Sequence, residues 1–176
     1  FISGQPESGG DLANDLERIA TNFGPENIAA CIVEPIAGST GTLVPPKGYL
    51  QKLREICDKH GILLIFDEVI TGWGRTGSSF AGHEFGVTPD IMTMAKATTK
   101  GVVPMGVVAC KDEIYDAVMD ASPMGSVELF HGYTYSGIPV AVAAALAVQD
   151  IIEKEDIFNR SKEMSSYFQK GLFTLQ

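Results

Sequence analysis

Short apolar runs that alternate with helical patterns constrain the fold of this 176-residue chain more than any other feature. Four of these runs are predicted strands: residues 27–33, 62–66, 91–95 and 105–110. Apolar strands joined by helices are typical of a parallel or mixed sheet that helices cover on both faces. The sequence therefore predicts an α/β fold.

Helical periodicity fills most of the intervals between the strands. The predicted helices cover residues 12–23, 49–59, 111–119 and 139–154, with a further helix from residue 157 onward. Gly61 follows the second helix and is expected to end it, because glycine adopts the left-handed conformation of a C-terminal cap at little cost. Residues 70–77 form a glycine-rich excursion after the second strand.

Composition disfavours several classes of function. The net charge of −9 and the lack of any cluster of Lys or Arg argue against nucleic acid and anionic membranes as partners. No apolar run reaches the roughly 18 residues of a membrane-spanning helix. Three cysteines without CxxC spacing favour the reducing cytoplasm, and three scattered histidines predict no metal site.

Charged side chains follow three of the predicted strands. Glu34, Asp67 and Lys96 stand where the chain leaves the sheet, which is where α/β sheets bind ligands. An amine that forms a Schiff base and an acid that faces the pyridine nitrogen are the two protein groups that hold pyridoxal 5'-phosphate (PLP). On the residues alone, simpler interpretations stay open. Asp67 could be a helix cap or could pair with Arg75 or Lys96, and Lys96 could be a surface lysine.

Four segments, in order along the chain, resemble the class III (subgroup II) PLP-dependent aminotransferases. They are residues 33–38, 65–77, 89–96 and 132–137. The resemblance implies fold type I of the PLP-dependent transferases, with a mainly parallel sheet covered by helices. It implies that residues 1–155 are part of the PLP-binding large domain, and that 156–176 form a helix leading toward a C-terminal small domain.

The resemblance also implies a role for individual residues. Lys96 would be the catalytic Schiff-base lysine, and Asp67 would pair with the pyridine nitrogen. Val69, two residues further along an extended chain, would pack on one face of the ring, a role that is compatible with ordinary core packing. Thr134 would bind the cofactor phosphate across a dimer interface, with a turn hydroxyl as the alternative. Tyr133 would reach the same neighbouring site.

Other residues are expected to surround the reacting groups. Glu34 matches a family glutamate near cofactor and substrate, and its expected role is gating or positioning, with a structural ion pair as the alternative. Trp73 is also expected close to the substrate. Glu68 and Arg75 are expected to hold the geometry of the loop.

Within the family, residues 44–50 and 131–137 are most similar to the ω-amino acid–pyruvate aminotransferases, which include β-alanine–pyruvate aminotransferase. This implies amino transfer from an ω-amino acid or amine to a 2-oxo acid acceptor, pyruvate, by a cytoplasmic homodimer or higher homo-oligomer. Another class III aminotransferase, an aminomutase and a non-catalytic interaction module of the same fold stay open. A binding domain for another phosphorylated ligand is disfavoured, because neither GxGxxG nor GxxxxGK[ST] occurs.

The sequence departs from the family pattern around the lysine. Trp73 stands where Phe is frequent, Ala97 replaces a common Gly, and residues 98–100 replace a less bulky and less charged stretch. The family's phosphate-binding turn and ring-stacking aromatic residue are not found before residue 28. The chain is therefore expected to be an internal fragment that is inactive alone.

Overall fold

The computed structural model describes residues 8–123 and 134–175. Within these residues the strands are β1 (Ala30–Val33), β2 (Leu63–Asp67), β3 (Ile91–Met94) and β4 (Val107–Cys110). The α-helices are α1 (Gly10–Phe23), α2 (Tyr49–His60), α3 (Ala81–Phe85), α4 (Asp112–Asp120), α5 (Pro139–Lys154) and α6 (Ile157–Phe173). Short 3₁₀ turns occupy Pro25–Asn27 and Lys96–Thr98. The predicted α/β order is confirmed, although β1 starts late because a 3₁₀ turn takes up the beginning of its apolar run.

The four strands form one sheet in the order β1-β2-β3-β4. The first three strands are parallel, and β4 is antiparallel to β3. Parallel neighbours need a crossover, which is usually an α-helix, whereas the connection between β3 and β4 contains only a 3₁₀ turn. The expected mainly parallel sheet is confirmed, with an antiparallel strand at one edge.

The main hydrophobic core lies on one face of this sheet. Leu64 and Phe66 alternate along β2 and are fully buried on the same face. Helices α1 and α2 pack there, and their buried side chains complete the core: Ala13, Ala20, Leu50, Leu53, Ile56 and Cys57. Gly61 ends α2 as predicted, with a left-handed φ of 67° and an N–H that donates to the Cys57 carbonyl.

The opposite face of the sheet is exposed at its two edge strands. Ile32 of β1 is 62% exposed and Val108 of β4 is 71% exposed. Helix α2 packs directly on β2, and α1 packs on α2 in the same core. The described residues confirm helix cover on the first face, and on the second face the side chains of the central strands, such as Leu63 and Ile65, are partly buried.

Helix α6 packs against the glycine-rich excursion that follows β2. A Cβ atom at Gly74 would lie 2.9 Å from Phe158 Cδ1, and one at Gly77 would lie 2.6 Å from Lys162 Cγ. Both glycines also have positive φ, 92° and 84°. Close approach of α6 and backbone conformation therefore each favour glycine at these positions. None of the described helices is long and apolar enough to cross a membrane. Cys31, Cys57 and Cys110 are free thiols.

Candidate active site

The residues predicted to react lie at one edge of the sheet. Asp67 is the last residue of β2, and its partner in register is Thr93 of β3. Lys96 lies three positions after Thr93, at the start of the 3₁₀ turn after β3. Glu34 comes directly after β1. Because these three strands run parallel, their carboxyl ends meet at the same edge.

The carboxylate of Asp67 is held by its own turn. Its Oδ1 accepts a hydrogen bond of 3.0 Å from the Val69 backbone N–H. Among the described residues, Oδ2 has no hydrogen bond or ion pair. Neither Arg75 nor Lys96 lies within ion-pair distance of it, so the interpretation of Asp67 as their salt-bridge partner is wrong for the described chain. One carboxylate oxygen is thus fixed and the other is available.

The prediction that Val69 continues an extended chain is wrong. Strand β2 ends at Asp67, and the backbone turns at Val69. The reason is the hydrogen bond to Asp67, which closes a turn over two residues in the manner of an Asx turn. The side chain of Val69 is partly buried, and its contact with a cofactor ring stays a prediction.

Glu68 anchors the loop that follows Asp67. Its side chain is only 1% exposed and accepts hydrogen bonds from Thr71 Oγ1 (2.5 Å), Ala81 N (2.9 Å) and Gly82 N (2.8 Å). Its own N–H donates to the Thr93 carbonyl at 2.9 Å, which joins β2 to β3 beyond their last paired residues. The loop-holding role predicted for Glu68 is confirmed.

Lys96 lies in an open, cationic cleft. Its side chain is exposed and lines a cleft of about 350 Å³ together with Arg75, Ala97, Lys100 and Gly101. No described residue forms an ion pair with any of these three cations. A cleft lined by one sign of charge attracts ligands of the other sign. Arg75 Nε also donates to the Ile70 carbonyl at 2.6 Å, which confirms its loop-holding role.

Glu34 closes the loop that follows its own strand. Its Oε2 accepts a hydrogen bond of 2.9 Å from Gly38 N, so the described chain gives it a backbone partner and no ion pair. Gly38 packs against the loop after β2, since a Cβ atom there would lie 2.5 Å from Ile70 Cδ1. Glu34 therefore orders a segment that touches the loop of Asp67. Its proximity to substrate stays a prediction.

Trp73 contacts the turn that carries Lys96. Its indole Nε1 donates to Thr98 Oγ1 at 3.0 Å, and its ring packs edge-on against Phe80 at a centroid distance of 5.0 Å. The sequence predicts no role for Thr98. The one available signal is that Trp73 and Thr98 both depart from the family pattern.

The structure does not test the two remaining predicted residues. Tyr133 lies outside the described residues. Thr134 is exposed, at the turn before α5. Its predicted role requires a second copy of the chain and stays a prediction. In residues 8–123 and 134–175, no group of His, Cys, Asp or Glu side chains is arranged to hold a metal ion.

Comparisons with known proteins identify the family of the chain. The family model described as Aminotransferase class-III matches residues 5–176. The chain is 56% identical to an omega-aminotransferase of Caulobacter vibrioides over 172 residues, and 53% identical to the beta-alanine–pyruvate aminotransferase of Pseudomonas aeruginosa over 178 residues. These matches cover 98% and 100% of this chain, but 39% and 40% of those relatives.

A solved structure supports the same relationship. The PLP-bound amine transaminase of an uncultivated Pseudomonas species aligns with a TM-score of 0.83 at 42% identity, covering 90% of this chain and 36% of that one. The chain thus spans about two fifths of the length of the curated relatives that it matches. The family model covers almost every residue of the chain, including the strand ends that carry Asp67 and Lys96. The chain belongs to the class III aminotransferases, a PLP-dependent family.

Proposed function

We propose that this chain is part of the PLP-binding large domain of an aminotransferase that moves an amino group from an ω-amino acid or amine to pyruvate. The observation that carries the proposal is the register of β2 and β3, which brings Asp67 and the lysine turn to one sheet edge. The activity is proposed for the full-length protein, and the chain alone is proposed to be inactive. In the same proposal, residues 1–155 belong to the large domain and 156–176 lead to a small domain.

The described residues fit PLP chemically. Asp67 has one carboxylate oxygen fixed by Val69 and the other available to a protonated ring nitrogen. Lys96 supplies an exposed amine without an acidic partner among the described residues. The positive cleft around it suits an anionic group. When bound, PLP supplies the electron sink that lets a bond at the substrate's amino-bearing carbon break.

The chain's own residues have distinct tasks in this proposal. Lys96 holds the cofactor covalently through Nζ and, once released, moves a proton at that same atom. Asp67 keeps the pyridine nitrogen protonated by charge. Val69 orients the ring by packing. Thr134 and Tyr133 are proposed to serve the phosphate of a partner subunit, which requires a homodimer or a higher homo-oligomer.

The proposed substrates follow from the relatives and the cleft. Two of the relatives that are more than 50% identical to this chain are an omega-aminotransferase and a beta-alanine–pyruvate aminotransferase. Arg75 and Lys100 place two further positive charges beside Lys96, which favours a carboxylate-bearing acceptor. We propose a location in the cytoplasm for the same protein, on the evidence of its three free cysteines.

The test is covalent capture of PLP by the full-length protein. Borohydride reduction followed by peptide mass spectrometry should find the cofactor on Lys96. Lys96→Ala should abolish the adduct, whereas the matched control Lys100→Ala, a lysine of the same cleft, should keep it. An adduct that persists in Lys96→Ala would overturn the assignment, and no adduct in the unmodified protein would favour a non-catalytic module.

A second measurement tests the reaction. β-Alanine and an aryl-alkyl amine are each offered as donor, with pyruvate or 2-oxoglutarate as acceptor. Turnover that prefers pyruvate supports the proposal. Preference for 2-oxoglutarate would indicate another class III aminotransferase, and isomerisation of the donor without an acceptor would indicate an aminomutase.

A further inference from the structure

We infer that Trp73 is a positioning residue for Lys96, acting through a hydrogen-bonded link to Thr98. Trp73 Nε1 donates to Thr98 Oγ1 at 3.0 Å, and Thr98 Oγ1 donates onward to the Ala95 carbonyl at 3.0 Å. The link therefore runs from the glycine-rich loop to the residue that immediately precedes Lys96. The inference rests on the proposed role of Lys96 in holding PLP.

The turn that carries Lys96 is one that needs external support. Lys96 and Lys100 have φ values of 42° and 53°, in the left-handed region that is unfavourable for a residue with a Cβ. A 3₁₀ segment of three residues has poor hydrogen-bond geometry of its own. Such a conformation persists only where its surroundings determine it.

Buried threonines supply that support on the turn's own side. Thr98 and Thr99 are each only 2% exposed, although both are polar. Thr99 Oγ1 donates to the Val103 carbonyl at 2.5 Å, which fixes the end of the turn. Of these two threonines, Thr98 is the one whose hydroxyl accepts a hydrogen bond from outside the turn, from Trp73 Nε1. The turn is thus linked to the rest of the described chain at Thr98.

The other end of the link is itself fixed. Trp73 has a left-handed φ of 60°, its N–H donates to the Ser79 carbonyl at 2.6 Å, and its ring packs on Phe80. The base of the same loop is anchored by the buried Glu68. A donor held in this way can transmit the position of the loop to the turn. The Thr98 hydroxyl therefore links Trp73, which has a positive φ, to Ala95, the neighbour of Lys96, which also has a positive φ.

Both linked residues lie at departures from the family pattern. Phe, which is frequent at position 73, has no N–H to donate, and a residue without a hydroxyl at position 98 could not accept. The hydrogen bond therefore needs both Trp73 and Thr98, whereas simple packing would not need this particular pair.

The link makes a prediction that separates positioning from substrate contact. If the amine is pre-aligned by the turn, loss of the link should slow capture of PLP and lower kcat, with little change in KM for the donor. It should also move the pH at which the absorbance of bound PLP titrates, because the environment of Lys96 Nζ changes. A residue that only touched substrate would change KM and leave both cofactor measurements unaltered.

The experiment uses the full-length protein with Trp73→Phe, Thr98→Val and the double variant. Each single variant should slow PLP uptake by apoenzyme about threefold to tenfold, the range of one net hydrogen bond. The double variant should be no slower than Thr98→Val alone, because Thr98→Val already removes the bond from Trp73 together with the bond to the Ala95 carbonyl. Ser78→Ala is the matched control: it removes a hydroxyl bond to Glu84 (2.8 Å) in the same loop without touching the turn.

Additive slowing in the double variant would overturn the inference, as would a change confined to KM or a lower unfolding temperature without a shift in the cofactor's pH titration. Borohydride trapping is run in parallel on every variant. An adduct on Lys96 with unaltered uptake kinetics refutes the link and leaves the proposed function standing. The absence of an adduct in the unmodified protein refutes the proposed function itself.

Discussion

The two ends of the candidate site are built in different ways. At the end of β2, Asp67 is followed by the buried Glu68, whose carboxylate binds three donors and whose N–H binds β3. At the end of β3, Lys96 is exposed, has a positive φ and depends on contacts made by Thr98. The difference fits the two proposed tasks. A carboxylate proposed to stabilise a fixed charge is best held rigidly, whereas an amine proposed to bind and be released must move.

The largest expected effect is on the rigid end. Glu68→Ala removes an acceptor for Thr71, Ala81 and Gly82 in a buried site. It should lower the free energy of unfolding of the full-length protein by about 3–5 kcal/mol, because several buried donors lose their partner. Denaturant unfolding measures this.

Glu84→Ala is the matched control for that change. Glu84 is exposed and accepts from Ser78 at 2.8 Å, so its loss should cost less than about 0.5 kcal/mol. If the two alanine variants unfold alike, Glu68 is not the anchor and the proposed contrast between the ends fails.

The second prediction concerns the beginning of β3, at the other end of the strand from Lys96. Asp90 accepts 2.7 Å bonds from Leu64 N and Arg54 on one oxygen, and pairs with Lys111 at 2.7 Å on the other. Asp90→Asn should lower the free energy of unfolding by about 2–4 kcal/mol, because the partly buried Arg54 and the more exposed Lys111 lose the charge of a nearly buried partner.

Acid should reduce the difference in free energy of unfolding between the unmodified protein and Asp90→Asn. Burial by itself raises the pKa of Asp90, but hydrogen bonds from Lys111, Leu64 N and Arg54 outweigh it and hold the pKa below its usual range. A lowered folded-state pKa contributes stability that is present above the unfolded pKa of about 4 and is lost as the pH falls through the folded value.

Denaturant unfolding across pH measures this linkage. The unmodified protein should lose stability below about pH 4 more steeply than Asp90→Asn does. Asp58→Asn, which removes an exposed partner of Arg54 at 2.7 Å, is the control and should keep the steep acid dependence. If the free energy of unfolding falls equally steeply with pH in Asp90→Asn and in the unmodified protein, the acid dependence does not come from Asp90.

Much of this contrast could be predicted from the sequence, and the limit is instructive. Asp67 and Lys96 end apolar runs, and parallel strands align their ends, so their shared edge followed from local pattern. The turn at Val69 did not follow, because one side-chain bond from Asp67 outweighs the tendency to stay extended. The link from Trp73 to Thr98 spans 25 positions, and only the packed fold brings those two residues together.

A third prediction tests whether Asp67 acts by charge. Asp67→Asn keeps an oxygen that can accept from Val69 N, so the fold of the apoprotein should be retained. Turnover should fall about 10- to 150-fold, equivalent to the roughly 1.5–3 kcal/mol of one charged hydrogen bond. The measurements are steady-state turnover and apoprotein unfolding. Full turnover in Asp67→Asn would refute the proposed pairing of Asp67 with the pyridine nitrogen.

The smallest expected effect concerns the loop that joins the two ends. Gly74→Ala places a Cβ 2.9 Å from Phe158 at a φ of 92°, whereas Gly86→Ala meets no atom within 4 Å at a φ of 65°. Both changes should cost about 1 kcal/mol through backbone strain, and Gly74→Ala should cost more because Phe158 must move. Gly74 adjoins Trp73, so its variant should also slow PLP uptake, whereas Gly86→Ala should not. Equal uptake in the two variants would mean that the loop can shift without moving the lysine turn, and the amine would then be positioned by its own threonines alone.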